Sequence, residues 1–137
     1  MKFIHLTDTH VVGNGLEIYG AKPVRRLALA VDSINRDHVD AEIVIITGDL
    51  THWGEGDAYT SFLSEVKRLK MPFALMVGNH DDRAALSEAI PSLPRDENGF
   101  VQQVINTSVG PFILTDTKVT TGHQGAYCTD RLAWLDR

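Results

Sequence analysis

The chain has 137 residues, of which 43% are hydrophobic and 23% charged, so it can bury the core of one globular domain and is not a disordered protein. Its net charge of -5 gives no basic surface for a nucleic-acid polymer. Cys128 is the only cysteine, which excludes an internal disulfide and a multi-cysteine zinc site. The N-terminus turns polar too early for a signal peptide and no run reaches membrane-spanning length, so we expect a soluble, cytoplasmic protein without membrane contact.

The first elements alternate between strand and helix, a pattern typical of parallel strands joined by crossover helices. An apolar run predicts a strand over 3–7, and Pro23, a residue type favoured in first helical turns, begins a helix with apolar residues at helical spacing. The continuous apolar run at 43–46 predicts a strand covered on both faces. A third strand is predicted over 73–77, after a helix whose apolar side is formed by Ala58, Phe62, Val66 and Leu69. The predicted fold class is therefore α/β.

The rest of the chain is predicted to contain a short helix, a pair of strands and a final helix. The short helix covers 83–90, and the two strands cover 100–105 and 111–115 with a turn between them. Thr129 is the predicted N-cap of the last helix, within which the chain is expected to end and whose apolar side is formed by Leu132 and Leu135. Three carboxylates are expected near helix starts, where a negative charge is favoured: Asp57, Asp81 and Asp82.

Each of the first three predicted strands ends on side chains that can bind a metal ion. They are Asp8 and His10 in "TDTH", Asp49 in "TGDL", and Asn79 and His80 in "GNHD". Because the carboxyl ends of parallel strands meet at one edge of a sheet, these side chains are expected to converge. Gly48 and Gly78 precede two of them, where a missing Cβ allows a sharp turn and a close approach of the backbone.

The mixture of donors favours two ions over one, because a carboxylate can bridge metals roughly 3.5–4 Å apart whereas an imidazole or an amide oxygen fills one position. Asp49 is the predicted bridge. We expect Asp8 and His10 to bind one ion and Asn79 to offer its carbonyl oxygen to the other. His80 follows a ligand directly and is predicted to face the substrate, where it would stabilise phosphate charge or protonate a leaving oxygen.

These residues resemble the motifs D-x-H, G-D and G-N-H-[DE] of the calcineurin-like metallophosphoesterases, which occur here in the family's order as "DTH", "GDL" and "GNHD". The loop "NGLEIYG" and the late "RLAWLDR" extend the resemblance to bacterial phosphodiesterases that cleave cyclic nucleotides or glycerophosphodiesters. The resemblance implies an α/β/β/α sandwich of two sheets with a dinuclear site at one edge. It also implies His80 as the substrate-contacting histidine and a set of metal ligands formed by Asp8, His10, Asp49 and Asn79.

The chain departs from the family's pattern in two places. In "GDLTHWG", His52 and Trp53 stand where the Ser/Thr protein phosphatases have Asp and Arg, which disfavours protein phosphatase activity. The family's later lone His and its G-H-x-H motif are absent, and His123 in "TTGHQGAY" has no second His two positions on, so no ligand role is assigned to it. Three residues stay candidates for contacting substrate or supporting the ligands: Asp81, His52 and His123.

The number of ligands bears on whether the site is complete. Two ions need about seven protein ligands in addition to water, and the chain offers only four at motif positions. We therefore expect residues 1–137 to be the N-terminal part of a longer enzyme, with the sandwich incomplete at its C-terminus. That enzyme is expected to hydrolyse a small phosphoester, either a phosphomonoester or, in preference, a phosphodiester. The attacking group would be a hydroxide activated by two metal ions, which could be Mn, Fe, Zn or Co.

Alternatives remain open at this point. The chain alone could be an inactive, truncated fragment or a regulatory binding module that keeps a partial metal site. A missing C-terminal segment or another polypeptide in an oligomer could instead complete the site. A nucleotide-binding module without catalysis has the least support, because "GNG" lacks the third glycine of a dinucleotide-binding motif and no phosphate-loop Lys-Ser/Thr pair occurs.

Overall fold

The computed structural model describes residues 1 to 137, and its centre is a sheet of three parallel strands in the order β1, β2, β3. These strands are β1 (Phe3–Leu6), β2 (Ile43–Ile46) and β3 (Phe73–Leu75). All four residues of β2 are buried, as its continuous apolar run predicts. The first and third strands are one and two residues shorter than predicted, because the chain leaves the sheet early and forms the loops that carry the polar residues.

Two helices, α1 (Pro23–Asp37) and α2 (Gly56–Val66), cover one face of this sheet. Pro23 occupies the first turn of α1, as predicted. The core between helices and sheet includes the fully buried side chains of Val31, Val44, Ile46, Tyr59, Phe62 and Val66. Burial of each large apolar side chain stabilises the fold by about 1.5–3 kcal/mol. None of the helices has both the length and the apolar composition that crossing a membrane requires, and the cytoplasmic location stays a prediction.

A short helix, α3 (Arg83–Ala89), follows the loop after β3. Asp82 is its N-cap, and the Asp82 carboxylate accepts the N–H of Ala85 at 2.8 Å. The expected helix-start positions of Asp82 and of Asp57, which lies in the first turn of α2, are thus confirmed.

A hairpin of two antiparallel strands, β4 (Gln103–Thr107) and β5 (Gly110–Leu114), packs against the opposite face of the central sheet. The side chains at this contact are Ile43, Ile45, Ala74, Ile105, Phe112 and Leu114. Strand β4 starts at Gln103 rather than at the predicted position 100. The reason is that the Val101 N–H donates to the buried Asp116 carboxylate at 3.0 Å instead of joining the ladder.

The last helix, α4 (Thr129–Leu135), lies beside the outer face of the hairpin, where Trp134 and Leu135 line a cavity together with Val104 and Ile113. The layers follow the order helices, sheet, sheet, helix, which confirms the predicted α/β/β/α arrangement, with two strands in the second sheet. The prediction of Thr129 as N-cap is wrong. Cys128 holds the cap position with extended backbone, and no side chain caps the helix.

The buried residue of α4 is a charged one. Leu132 and Leu135, the predicted apolar side, are 48% and 43% exposed, whereas Arg131 is 4% exposed. The Arg131 guanidinium donates to the carbonyl oxygen of Asp116 at 2.8 Å and lies 4.6 Å from the centroid of the Phe100 ring. A buried cation is tolerated where hydrogen bonds and an aromatic face replace water. The helix is therefore oriented by its arginine rather than by its leucines.

Candidate metal centre

The loop after β1 runs beside the loop after β2 and is bonded to it through the main chain. The Asp8 N–H donates to the Gly48 carbonyl at 3.2 Å, and the His10 N–H donates to the Asp49 carbonyl at 2.9 Å. Because both partners are backbone groups, the pairing does not depend on the side chains that point away from it. The first two motifs are thus held in register by an extension of the sheet.

The loops after β2 and β3 touch at two glycines. Gly48 has φ +103, and a Cβ built on it would lie 2.5 Å from the Gly78 nitrogen. A Cβ on Gly78 would lie 2.1 Å from Oδ1 and 2.4 Å from the backbone nitrogen of Asp49. No side chain fits at either position. The close backbone approach that the two glycines allow is therefore a contact between neighbouring loops, and this contact brings the third motif to the second.

The carboxylates of Asp8 and Asp49 and the ring of His10 offer ligand atoms that lie within 4.8 Å of one another. The His10 Nε2 atom is 3.6 Å from Asp8 Oδ1 and 3.8 Å from Asp49 Oδ2. Carboxylate and imidazole donors at this spacing suit a borderline divalent ion such as Mn²⁺, Fe²⁺, Co²⁺ or Zn²⁺. The residues of the first two motifs therefore fit a metal ion.

The same three residues have strained backbones. The φ angles of Asp8, His10 and Asp49 are +55°, +42° and +47°, in the left-handed region that residues with a Cβ seldom adopt. Such a conformation costs about 1–3 kcal/mol per residue and is concentrated at functional sites. The main-chain bonds between the loops hold the residues in this conformation, which directs their side chains toward a common point.

Asn79 and His80 reach the same edge from the third loop. The His80 N–H donates to Asp49 Oδ1 at 3.0 Å, and the His80 ring lies 4.9 Å from the His10 ring between centroids. The His80 Nδ1 atom donates to the backbone carbonyl of His52 at 2.8 Å. The Asn79 side-chain nitrogen lies 2.8 Å from the Nδ1 atom of His123. All five residues of the three motifs therefore gather at one edge of the sheet.

His52 lies between two of these residues. Its Nδ1 atom is 3.2 Å from His10 Nδ1, and its ring stacks on the His80 ring at 4.9 Å. Ring nitrogens of the three histidines lie within 4.8 Å of one another. Burial, followed by the charges of His80 and His10, lowers the pKa of His52 from its usual value. The neutral ring is thus the favoured form of His52.

Asp81 lies beneath the loops and is 2% exposed. Its two oxygens accept hydrogen bonds from the backbone N–H groups of Gly78, Leu50 and Thr51 and from the Tyr59 hydroxyl. Burial raises the pKa of the Asp81 carboxyl against the opposing effect of these bonds. Asp81 lies near a helix start, as predicted, because it directly precedes Asp82, the N-cap of α3, but its carboxylate binds the loops rather than the helix. Burial also keeps its oxygens from a substrate, so support of the ligand loops is the predicted role that remains.

Two residues outside the predicted set hold the third motif. The Lys118 ammonium donates to the backbone carbonyl of Asn79 at 3.0 Å. Asp116 is fully buried and accepts two hydrogen bonds from Arg83, at 2.6 and 2.5 Å, which fastens the segment before Lys118 to α3. Asp116 directly follows a predicted strand, the same signal that identifies Asp49. Nothing in the spacing of Lys118 points to Asn79, which is 39 residues away.

Cavities flank the candidate ligands on two sides. The larger, of about 600 Å³, is lined by Asp8, His10, His52 and Arg26, among others. The smaller, of about 230 Å³, is bordered by Asn79, Lys118 and His123. The larger volume is in the range that small organic ligands occupy in proteins. The edge of the sheet that carries the candidate metal ligands is therefore open to a small molecule.

A family model described as calcineurin-like phosphoesterase matches residues 1–137, and the chain belongs to that family. A probable cyclic nucleotide phosphodiesterase of Rhodopseudomonas palustris is 46% identical over 99% of this chain and 50% of its own length. The cAMP/cGMP dual specificity phosphodiesterase of Mycobacterium tuberculosis is 30% identical over 96% of this chain and 43% of its own length. A probable glycerophosphodiester phosphodiesterase of Arcobacter nitrofigilis is 28% identical over 100% of this chain and 51% of its own length.

These comparisons confirm the family indicated by the three motifs. The chain spans about half the length of the relatives it matches. The similarity runs over the whole of this chain, so it includes all three motif loops and the segment that carries His123.

Proposed function

We propose that the protein hydrolyses small phosphodiesters, of the cyclic nucleotide or glycerophosphodiester class, at the centre formed by the three motif loops. The observation that carries this proposal is the convergence of Asp8, His10 and Asp49, whose ligand atoms lie within 4.8 Å of one another. The substrate class rests on the activities for which similar proteins are named. The larger cavity beside Asp8 and His10 supports it, since a nucleotide-sized molecule can enter there.

In this proposal two metal ions are held by the motif residues. Asp8 and His10 would hold one ion, Asn79 would hold the other, and Asp49 would be a ligand of both. Manganese, iron, zinc and cobalt all suit this mixture of oxygen and nitrogen donors. When bound, the ions would activate water for attack on phosphorus and neutralise charge on the phosphate oxygens.

His80 is the proposed acid for the leaving group. Its Nδ1–H donates to the His52 carbonyl at 2.8 Å, which leaves Nε2 as the ring atom that can meet a substrate oxygen. A proton on Nε2 can pass to the oxygen that departs when the phosphodiester bond breaks. Its main-chain bond to Asp49 keeps this ring next to the carboxylate proposed to bridge the ions.

The remaining ligands are proposed to come from polypeptide outside these residues, either a C-terminal segment or a partner chain. Four motif ligands are fewer than the roughly seven that two ions need. The similar proteins are about twice as long as this chain. The same shortage favours the second candidate function, a binding module that retains a partial metal site without turnover.

Metal content and turnover of an aryl phosphodiester such as bis(p-nitrophenyl) phosphate, measured together after loading with Mn²⁺, test the proposal. We expect Asp49→Asn to lower turnover at least about 100-fold, because it removes the charge shared by both ions. Glu88→Gln is the matched control, since Glu88 is an exposed residue of α3 and makes no hydrogen bond or ion pair. Turnover unchanged in Asp49→Asn would contradict the proposal. Substoichiometric metal without turnover would favour the binding module.

A further inference from the structure

We propose that His52 and His123, which lie outside the three motifs, are positioning residues that aim His10 and Asn79 at the metal ions. This inference rests on the proposed function, since it assumes that His10 and Asn79 are ligands. Each of the two histidines contacts a different ligand, so each carries its own observation. Neither is proposed to bind metal itself.

The tautomer of His10 follows from its surroundings. Its Nε2 atom faces Asp8 and Asp49 at 3.6 and 3.8 Å, so this nitrogen must present its lone pair to an ion shared with these carboxylates. A neutral imidazole carries its one proton on the other nitrogen, Nδ1. That proton needs an acceptor, and the atom 3.2 Å away is Nδ1 of His52. His52 therefore fixes both the tautomer and the plane of the His10 ring, a task that a carboxylate or carbonyl commonly performs for metal-binding histidines.

His52 is well held for this purpose. Its backbone N–H donates to the Val11 carbonyl at 3.0 Å, in the loop that also carries His10. Its backbone carbonyl accepts the His80 Nδ1–H at 2.8 Å. One residue thus orients a proposed ligand through its ring and the proposed acid through its main chain. A change confined to the His52 side chain should disturb the first and spare the second.

The amide of Asn79 has two ends, and its hydrogen bonds decide which end faces an ion. The side-chain nitrogen lies 2.8 Å from Nδ1 of His123, which can accept from it. The oxygen then points away from His123 and is available as a metal ligand. The Lys118 ammonium, in the same segment as His123, holds the Asn79 backbone carbonyl at 3.0 Å. Without an acceptor at His123 the amide could turn over and present its nitrogen, which does not bind metal.

Titration of the protein with Co²⁺, followed by calorimetry and visible absorption in the absence of substrate, tests both assignments. His52→Leu and His123→Leu remove the acceptor at similar volume. Asn at either position restores an acceptor close to where Nδ1 lies. Asp8→Asn and Asn79→Ala identify which binding event belongs to which ion.

We expect His52→Leu to weaken the event lost in Asp8→Asn by about 10–100-fold and to spare the event lost in Asn79→Ala. His123→Leu should show the opposite pattern, so each variant is the control of the other. The Asn replacements should return Co²⁺ affinity to within about threefold of wild type. This rescue separates loss of the acceptor from general damage to the fold.

Several outcomes would overturn the inference. Leu variants that bind Co²⁺ like wild type but have a raised KM would show that the histidines contact substrate only. Asn variants as weak as Leu variants would show that accepting a hydrogen bond is not the role of the ring. These results leave the proposed function standing, whereas a wild-type protein that takes up no Co²⁺ would overturn both.

Discussion

The Asp81 carboxylate is the point at which the loops after β2 and β3 can be disturbed together without changing a proposed ligand. Oδ2 accepts the N–H groups of Gly78 at 2.9 Å and Leu50 at 3.2 Å. Oδ1 accepts the Thr51 N–H and the Tyr59 hydroxyl, both at 3.1 Å. Replacement by asparagine keeps the size of the side chain but converts one oxygen into an NH₂ group that can accept nothing. We therefore predict that Asp81→Asn leaves one backbone N–H without an acceptor if the NH₂ group replaces Oδ1, since the Tyr59 hydroxyl can accept from it, and two if it replaces Oδ2.

The size of the effect follows from this count. A buried donor without a partner costs about 1–3 kcal/mol, so one or two donors cost about 1–6 kcal/mol. Movement of the loops would relieve part of this cost, and we expect a loss of about 3 kcal/mol in the free energy of unfolding. A domain of this size should then melt roughly 10 °C lower. Typical domains have about 5–15 kcal/mol of stability, so the variant should still fold at low temperature.

Urea unfolding followed by circular dichroism measures this loss. The control is Asp82→Asn, the same chemical change one residue further along, at an exposed N-cap where asparagine performs as well as aspartate. We expect the control to stay within about 0.5 kcal/mol of wild type. If Asp81→Asn were as stable as Asp82→Asn, the carboxylate would not be what holds the loops together.

Three further predictions address the glycine contact, the buried ion pair and the metal. Gly78→Ala should lower both stability and Co²⁺ affinity, because the new Cβ would lie 2.1 Å from Asp49 Oδ1. The control is Gly56→Ala, which should lower neither, because a Cβ there meets nothing within 4 Å. Calorimetry measures the affinity and thermal melting measures the stability. Asp116→Ala should cost about 3–5 kcal/mol in urea unfolding by leaving buried positive charge unpaired, while Asp32→Ala, which breaks an exposed pair, should cost under about 1 kcal/mol. Removal of bound metal with EDTA should lower the melting temperature of wild type but not of Asp49→Asn, and an equal shift in both would mean that the ions bind elsewhere.

The arrangement of the motif residues can be predicted from sequence because it follows from a general property of parallel sheets. Asp8, Asp49 and Asn79 each follow an apolar run, and the ends of parallel strands lie side by side whatever the details of packing. The buried strand β2 and the start of α1 at Pro23 are equally local signals. None of these inferences requires knowledge of contacts between residues that are far apart in the sequence, which explains why they can be made from the sequence alone.

The support of the site depends on contacts that no local pattern encodes. Asp81 looks like a helix-start carboxylate, and only the folded chain shows that the backbone of another loop surrounds it. Arg131 lies in a helix whose leucines suggest an apolar face, yet it is buried because the Asp116 carbonyl and the Phe100 ring are there to receive it. The role proposed for His123 depends on its contact with Asn79, which lies 44 residues earlier in the chain. A polar group is buried only where hydrogen-bond partners or aromatic rings surround it, and in these cases the partners are far away in the sequence.

At positions 8, 10 and 49 the left-handed backbone lowers the stability of the fold, whereas the side chains at these positions are proposed to bind metal. A glycine at any of these positions would release about 1 kcal/mol or more of conformational strain, but it would remove a side chain that is proposed to bind metal. Directed evolution for heat resistance alone should therefore drift toward glycine or asparagine at these sites, and selection that also demands metal binding should not. At these three positions we therefore expect a gain in stability to be accompanied by a loss of the proposed metal binding.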